Sequence, residues 1–343
     1  MNGDGRRRRI LGAGAILVAA ATIALTAADR VRTSTAWLDP ASAETPRAGA
    51  ERGEGVPAQA SPVGAVAHAG AAAPVSAEAV ATVEWSPERP VQGTIFTVHV
   101  RPIGASIERV SGTLAGEPLH FEAGDGGAHT ALAAVPVDAN GEESLRLQVR
   151  TVEGRTGTIT EAVPVAEGAY RMERLTVAPE YGGGYDAETQ ARIRRESARA
   201  REVSRRSHET PRMWEPPFVR PRSSHVTSGF GNGREFNGQV QSRHTGTDFA
   251  GGVGEPVRAA ARGIVRIVDS FFLGGNVIYI DHGAGLVTAY LHLSEQLVSE
   301  GETVEAGQVI GRVGATGRVT GPHLHWIVRY GNISVDGLSL PGV

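Results

Sequence analysis

The sequence predicts a mainly β chain in which two small β domains are joined by one helix. Two stretches, residues 80–178 and 223–343, consist of short apolar runs separated by glycine and proline turns, as in half-buried strands. Between them, residues 179–222 are polar, rich in arginine and helical in pattern. A length of 343 residues with 41% apolar residues is enough for two modest cores.

The beginning of the chain predicts export followed by a spacer. Residues 1–28 place four arginines, Arg6 to Arg9, before an uncharged apolar run, which is typical of a signal peptide or a signal anchor. The alanine, glycine and threonine content of this run favours cleavage, although its length also permits a membrane anchor. Residues 29–79 are rich in alanine and proline without periodicity, which predicts a disordered linker. We therefore expect the remaining chain in the periplasm or cell envelope, either free or anchored to the inner membrane.

Residues 80–178 predict an antiparallel β-sandwich of immunoglobulin-like type. In the segment TIFTVHVRP, Phe96, Val98 and Val100 share one face, and polar side chains occupy the other. About seven such short strands with turns between them are typical of this fold. Three histidines fall on polar-facing or turn positions without ligand-like spacing, and we expect them on the surface: His99, His120 and His129.

Residues 179–222 predict an arginine-rich helical linker. Asp186 is placed to cap a helix of about five turns, and Glu188 follows near its positive end. Arginines outnumber glutamates along this helix. The charge pattern has two interpretations: contact with an anionic wall polymer or membrane surface, and, as the more ordinary one, a solvated connecting helix.

The composition excludes several kinds of chemistry. The chain has no cysteine, and its 34 basic residues are all arginine. Thiolate nucleophiles, Schiff-base lysines, disulfides and cysteine-ligated zinc are therefore excluded, and any metal ion must be held by His, Asp or Glu. The net charge of -3 gives no general attraction to nucleic acid, so we expect no nucleic-acid partner.

Histidines are concentrated in residues 223–343, which hold six of the 11 in the chain. His244 and Asp248 are four residues apart in a glycine-rich segment, a spacing that alone is more typical of a surface ion pair. His323 and His325 are two residues apart, so they share a face if this segment is a strand. Together the two motifs supply two imidazoles and a carboxylate with a fourth position left for water, which is the composition of catalytic zinc sites.

Four segments carry a resemblance to a known family. They are HTGTDFA, GEPVRAAARGIVRIV, NVIYIDHGAGLVTAYLHLS and GQVIGRVGATGRVTGPHLHW, in this order. Over residues 228–328 the chain resembles the lysostaphin or LytM-type zinc endopeptidases of bacterial cell walls. The resemblance implies a β-sheet groove, peptidoglycan peptides as substrate, and one Zn²⁺ per chain held by His244, Asp248 and His325. The two remaining family histidines, which are catalytic and do not bind the metal, correspond to His292 and His323.

The implied chemistry is zinc-dependent hydrolysis of a peptide bond in the stem or the cross-link. Zinc in such a site makes water a nucleophile near neutral pH. The two histidines off the metal are candidates for stabilising the oxyanion and for protonating the leaving amine, and both roles are open to both residues. Two alternatives remain. One is a non-catalytic regulator of wall amidases or a wall-binding scaffold, which would not need all five residues; the other is cleavage of another secreted protein.

Other residues of the last domain receive no catalytic assignment. His225 and His282 are interpreted as structural. Four further residues are candidates only for lining the groove: Asn276, Tyr290, Arg234 and Arg318.

Overall fold

The computed structural model describes residues 79–343, except for the side chains of residues 240 and 241. The signal segment predicted for residues 1–28 and the linker predicted for residues 29–79 lie outside this part of the chain, apart from Ala79. Within residues 79–343, no helix is both long enough and apolar enough to cross a membrane. The described chain is mainly β with one α-helix, which confirms the predicted fold class.

The predicted first domain, residues 80–178, contains two four-stranded antiparallel sheets. Its strands are β1 (Ala81–Ser86), β2 (Ile95–Pro102), β3 (Ile107–Leu114), β4 (Glu117–Pro118), β5 (Glu122–Ala123), β6 (His129–Ala134), β7 (Glu142–Thr151) and β8 (Thr156–Pro164), with a 3-10 turn at Asp125–Gly127. The sheet orders are β1-β2-β6-β5 and β4-β3-β7-β8. Leu145, Leu147 and Val149 of β7 are buried and alternate with exposed polar residues, as their spacing predicts. These strand orders are compatible with the immunoglobulin-like type, which stays a prediction.

The segment between the domains contains a short strand and the single helix of the described chain. Its elements are β9 (Met172–Leu175), a 3-10 turn at Pro179–Tyr181, α1 (Ala187–Arg206) and a 3-10 turn at Ser207–Glu209. Asp186 accepts a hydrogen bond from the Thr189 N–H at 2.7 Å, which confirms the expected N-cap. Ile193, Ser197 and Ala200 are buried along one side of the helix. The helix is therefore packed on the protein along one side and solvated along the other.

The predicted last domain, residues 223–343, is built around an eight-stranded sheet. Its strands are β10 (Val226–Ser228), β11 (Gly233–Phe236), β12 (Val240–Arg243), β13 (Thr247–Ala250), β14 (Pro256–Arg258), β15 (Gly263–Phe271), β16 (Gly275–Gly283), β17 (Leu286–Leu293), β18 (Glu295–Gln296), β19 (Thr303–Val304), β20 (Val309–Arg312), β21 (His323–Tyr330) and β22 (Ile333–Val335), with a 3-10 turn at Gly337–Ser339. The large sheet has the order β10-β13-β21-β17-β16-β15-β19, and β22 pairs with β21. Two smaller sheets, β12-β11-β9 and β14-β20-β18, flank it.

The two faces of the large sheet contact different parts of the molecule. Tyr290 and Trp326 are fully buried in the main core on one face. Ala289 and Ile327 belong to a second apolar cluster, which also includes Ala200 of α1. Side chains alternate along a strand, so residues separated by an even number of positions share a face. His325 and His323 precede Ile327 by two and four residues and therefore lie on this second face. The helix and these histidines therefore share one side of the sheet.

The surface prediction was wrong for His129, which is buried, whereas His99 and His120 are half-buried. His129 is only 7% exposed, because it is the cross-strand partner of the fully buried Val100 and therefore points to the core face of the sheet. His120 is half-buried, and its Nε2 lies 2.8 Å from Nδ1 of His208, a residue of the inter-domain segment. Contacts between residues so distant in sequence cannot be read from strand alternation.

Candidate metal centre

Three side chains converge on one point of the large sheet. Asp248 and His325 are direct cross-strand partners on β13 and β21, so their side chains lie side by side. His244 precedes β13 and reaches the same point through a turn at Gly246. A Cβ atom at Gly246 would lie 2.5 Å from the Trp326 carbonyl oxygen, so this turn requires glycine.

The three ligand atoms form a compact, buried triangle. His244 Nε2 lies 3.0 Å from Asp248 Oδ1 and 3.0 Å from His325 Nδ1, and His325 Nδ1 lies 2.7 Å from the same Asp248 oxygen. All three residues are less than 9% exposed. Among residues 79–343, no other group of three His, Asp or Glu side chains is placed to hold a metal ion.

The donor set fits a zinc ion. His244 donates Nδ1–H to the Gly229 carbonyl oxygen at 2.7 Å, which leaves the lone pair of Nε2 facing the triangle. Two imidazole nitrogens and one carboxylate oxygen are the ligands of catalytic zinc sites. Tetrahedral bonds of about 2.0–2.2 Å separate donor atoms by roughly 3.3–3.5 Å, so the triangle would need to widen by roughly half an ångström.

The charge states of the triangle also suit a cation. Burial by itself would raise the pKa of Asp248, but its interactions with His244 and His325 outweigh burial and hold that pKa well below the usual range. Burial lowers the pKa of His325 to about 4. At neutral pH the carboxyl is therefore an anion and this imidazole is neutral, which are the states that bind metals.

His292 is held beside the triangle by an unusual backbone conformation. It lies at an irregularity in the pairing of β16 with β17 and has a φ of 63°, in the left-handed region that non-glycine residues rarely adopt. Its Nδ1–H donates to the Thr316 carbonyl oxygen at 2.8 Å, so Nε2 carries the lone pair. Its ring centroid lies 5.8 Å from that of His325. Burial, followed by the neighbouring His323 and His325, lowers the pKa of His292 well below its ordinary value.

His323 lies beside both His292 and Asp248. The two ring centroids are 5.0 Å apart. His323 donates Nδ1–H to the Gly321 carbonyl oxygen at 2.8 Å, and its Nε2 lies 3.7 Å from Asp248 Oδ1. The structure thus brings all five sequence-predicted residues together, with His292 and His323 adjacent to the triangle.

Arg234, which the sequence predicts only as groove lining, contacts the carboxylate of the triangle. Arg234 donates from Nη2 to Asp248 Oδ2 at 2.6 Å, which leaves Oδ1 as the carboxylate oxygen of the triangle. Glu173 of β9 accepts from Arg234 Nε at 3.0 Å, and Ser228 Oγ accepts from Arg234 Nη2 at 2.9 Å. Glu173 carries no sequence signal, because it reaches the site only through the parallel pairing of β9 with β11.

The other candidates occupy different places. Tyr290 is fully buried in the main core, where its hydroxyl accepts the Ala260 N–H at 2.8 Å, so it does not line the site. Asn276 donates to the Leu293 carbonyl oxygen within the sheet. His282 is fully buried with both ring nitrogens hydrogen-bonded, in agreement with a structural role, whereas His225 is exposed.

The metal triangle opens into a pocket between the sheet and α1. Ile193, Ser197 and Ala200 of α1 line one wall. Arg318 lines it as well, together with His292 and the two ligand histidines. A ligand bound at the triangle would therefore lie next to the helix and Arg318.

Part of this domain matches the model of a known protein family. The model of Peptidase family M23 matches residues 242–337, which include all five histidine and aspartate residues of the site. Residues 242–337 are called the M23 segment below, because the model of this family matches them. Over 103 residues, the M23 segment is 46% identical to peptidoglycan DD-endopeptidase ShyC of Vibrio cholerae, covering 29% of this chain and 24% of that protein.

Another relative and a solved structure extend the comparison. The M23 segment is 44% identical over 97 residues to DD-carboxypeptidase/endopeptidase Mpg of Neisseria meningitidis, covering 28% of this chain and 22% of that protein. The chain thus spans only 22–24% of the length of these curated relatives. A crystal structure described as peptidase M23 from Pseudomonas aeruginosa matches with a TM-score of 0.57 and 27% identity, over 74% of this chain and 96% of that chain. This coverage exceeds the M23 segment, so the likeness includes part of the preceding domain.

Proposed function

We propose that this protein is an exported, zinc-dependent endopeptidase that hydrolyses peptide bonds in peptidoglycan stem peptides or cross-links. The observation that carries the proposal is the triangle of ligand atoms within 3.0 Å of one another, beside two further imidazoles, in a domain of family M23. Relatives of the M23 segment named as peptidoglycan DD-endopeptidases support this substrate class.

His244, Asp248 and His325 would hold one Zn²⁺ per chain. When bound, zinc supplies Lewis-acid chemistry, which polarises the peptide carbonyl and makes water nucleophilic. Arg234 would keep the Asp248 carboxylate in position through its second oxygen.

His292 and His323 would move the protons of the reaction. Each ring donates Nδ1–H to a backbone carbonyl oxygen, which leaves Nε2 free to accept a proton from the attacking water and to return it to the leaving amine. A protonated ring can also donate a hydrogen bond to the developing oxyanion. The lowered pKa of His292 favours the neutral ring, which is the form required of a base.

The enzyme would act in the periplasm or cell envelope, because residues 1–28 have the pattern of an export signal. The contacts of helix α1 support a connecting role for it more than contact with an anionic surface. Arg199 pairs with Asp269 and Glu300 of the last domain, and Arg192 donates to the Ser270 carbonyl oxygen. These arginines are thus engaged in docking the helix.

Digestion of purified sacculi by the full chain tests the proposed function. We expect about one zinc per chain and the release of muropeptides, whose masses identify the cleaved bond. Chelation should abolish the release, and added Zn²⁺ should restore it. A metal-free protein that releases muropeptides at the full rate, or a zinc-loaded protein that releases none, would contradict the proposal.

A further inference from the structure

Arg318 lies in the pocket of the metal centre without an acidic partner. We propose that Arg318 binds a free carboxylate group of the peptide substrate and so selects substrates that carry one near the scissile bond. This inference rests on the proposed function and adds to it a chemical requirement on the substrate.

The surroundings of the Arg318 guanidinium are aromatic. The guanidinium carbon lies 3.9 Å from the ring centroid of Phe236, and the phenol of Tyr185 is a near neighbour of the group. Tyr185 in turn donates its O–H to the Tyr181 carbonyl oxygen. Within residues 79–343, no Asp or Glu carboxylate lies within salt-bridge distance of Arg318. Burial accordingly lowers the pKa of this guanidinium.

Arg222 and Arg234 show the ordinary arrangement of an enclosed arginine. Arg222 has a side-chain exposure of 10% and contacts the carboxylate of Glu255. Arg234 has a side-chain exposure of 13% and contacts Asp248 and Glu173. A buried charge normally needs such a partner, because the loss of hydration is otherwise uncompensated. Arg318 therefore has an unused capacity to bind an anion.

The loop that carries Arg318 also positions His292. The Arg318 N–H donates to the Leu273 carbonyl oxygen at 2.9 Å, and the His292 N–H donates to the neighbouring Gly274 carbonyl oxygen at 2.9 Å. Thr316, two residues before Arg318, accepts the His292 Nδ1–H. Since both side chains line one pocket, a single peptide can place an amide at the metal centre and a carboxylate at Arg318.

The other arginines of the pocket are committed elsewhere. Arg234 is bonded to Asp248, and Arg243 donates to the Gly231 carbonyl oxygen and lies over the ring of Tyr170. Arginine binds a carboxylate through two parallel N–H groups, which gives both strength and orientation. The carboxylate itself has two sources in a peptide substrate: a chain terminus, or a free carboxyl group on a residue beside the scissile bond.

Synthetic cross-linked stem peptides test this inference. One peptide has free carboxylates, a second has carboxamides in their place, and two more have either the terminal or the residue-borne carboxylate amidated. We expect wild-type protein to prefer the free carboxylate by about 10- to 100-fold in kcat/KM, mainly through KM, since a hydrogen bond to a charged group is lost on amidation. The singly amidated peptides identify the source of the carboxylate.

Arg318→Gln and Arg318→Lys make the test specific to this residue. The ratio of kcat/KM for the carboxylate and carboxamide peptides should fall to near one in Arg318→Gln and be partly retained in Arg318→Lys, while bound zinc stays near one per chain. Arg258→Gln is the control, because Arg258 is exposed and donates to the Gly307 carbonyl oxygen. It should keep the wild-type ratio.

Binding measurements separate this inference from the proposed function. Calorimetric titration of the carboxylate peptide under chelation should show binding that is weakened in Arg318→Gln, whether or not the protein is an endopeptidase. Equal use of carboxylate and carboxamide peptides by wild type, or equal binding by wild type and Arg318→Gln, would overturn the inference. Absence of hydrolysis of every peptide by zinc-loaded wild type would instead overturn the proposed function.

Discussion

His323 and His325 are two residues apart on one strand, yet their ring nitrogens meet different partners. His325 directs Nδ1 at Asp248 and His244, whereas His323 uses Nδ1 to donate to Gly321 and leaves Nε2 towards the site. The alternation of side chains along a strand predicted that the pair would share a face. It could not predict which ring binds the metal, because that choice depends on hydrogen bonds to a loop and on the partner strand. The family resemblance supplied the assignment.

The ligand role and the catalytic role are separable by mutation. Asp248→Ala removes one of the three proposed metal donors, and we expect the variant to lose stoichiometric zinc after dialysis, as measured by atomic emission. His292→Ala should keep zinc and lose hydrolysis of sacculi by about 100-fold or more, because proton transfer typically contributes that much. If both variants retain zinc and digest sacculi at the native rate, the proposed roles are wrong.

Arg234 provides a test of how the carboxylate ligand is positioned. Arg234→Gln removes the bond to Asp248 Oδ2, and we expect zinc affinity to fall by about 10- to 100-fold in competition with a chelating dye. Removal of a positive charge near the metal would by itself raise zinc affinity. Glu173 already neutralises Arg234, however, so the lost orientation of the Asp248 carboxylate should dominate. Arg266→Gln removes a contact with Asp281 away from the site and should leave affinity unchanged. An affinity of Arg234→Gln equal to wild type would contradict this role.

Helix α1 shows what could and could not be predicted at the level of an element. Its existence and its N-cap were predictable from Asp186 and the helical pattern. Its docking was not, because the buried stripe consists mainly of small residues, Ser197, Ala200 and Ser204, which a search for apolar periodicity passes over. Small residues allow the helix to lie close to the sheet. A similar limit holds for the first domain. Alternation along the chain predicted its strands, but not the burial of His129, which depends on contacts between strands.

Two substitutions in one helix test this docking. Ala200→Phe places a large ring where Ala200 is 1% exposed, and we expect the free energy of unfolding to fall by about 1–3 kcal/mol through overpacking. Ala198→Phe, at an exposed position of the same helix, should change it by about 0.5 kcal/mol or less. Urea denaturation of both variants gives the comparison. Similar losses in the two would show that α1 is not packed as described.

At the scale of the whole molecule, polar contacts connect residues of the two predicted domains. Tyr330 donates its O–H to the Pro118 carbonyl oxygen at 2.8 Å, and Glu117 accepts the Asn332 N–H at 3.0 Å. His208 links Glu117 to His120 through its two ring nitrogens. Burial, and then the neighbouring His208, lowers the pKa of His120. Protonation of the His120 ring therefore weakens these contacts. None of these contacts follows from local sequence, because each joins residues that are distant in the chain.

Buried histidines should make the whole protein less stable in acid. Burial lowers the pKa of His282 to about 4, from an ordinary value of 6.5. The folded state therefore favours the neutral ring. The stability from this group is complete above pH 6.5 and is lost as the pH falls towards 4, which amounts to about 2 kcal/mol by pH 5.

His282→Gln isolates this effect. At pH 7 the variant should be less stable than wild type, because its side chain cannot reproduce both hydrogen bonds of the ring. The difference in unfolding free energy should shrink by about 2 kcal/mol between pH 7 and pH 5, because only wild type loses the contribution of His282. Urea unfolding under chelation at each pH measures this difference without interference from metal release, and His225→Gln, at an exposed position, should follow wild type throughout. A difference between wild type and His282→Gln that stays constant across this range would show that His282 does not titrate as its burial requires.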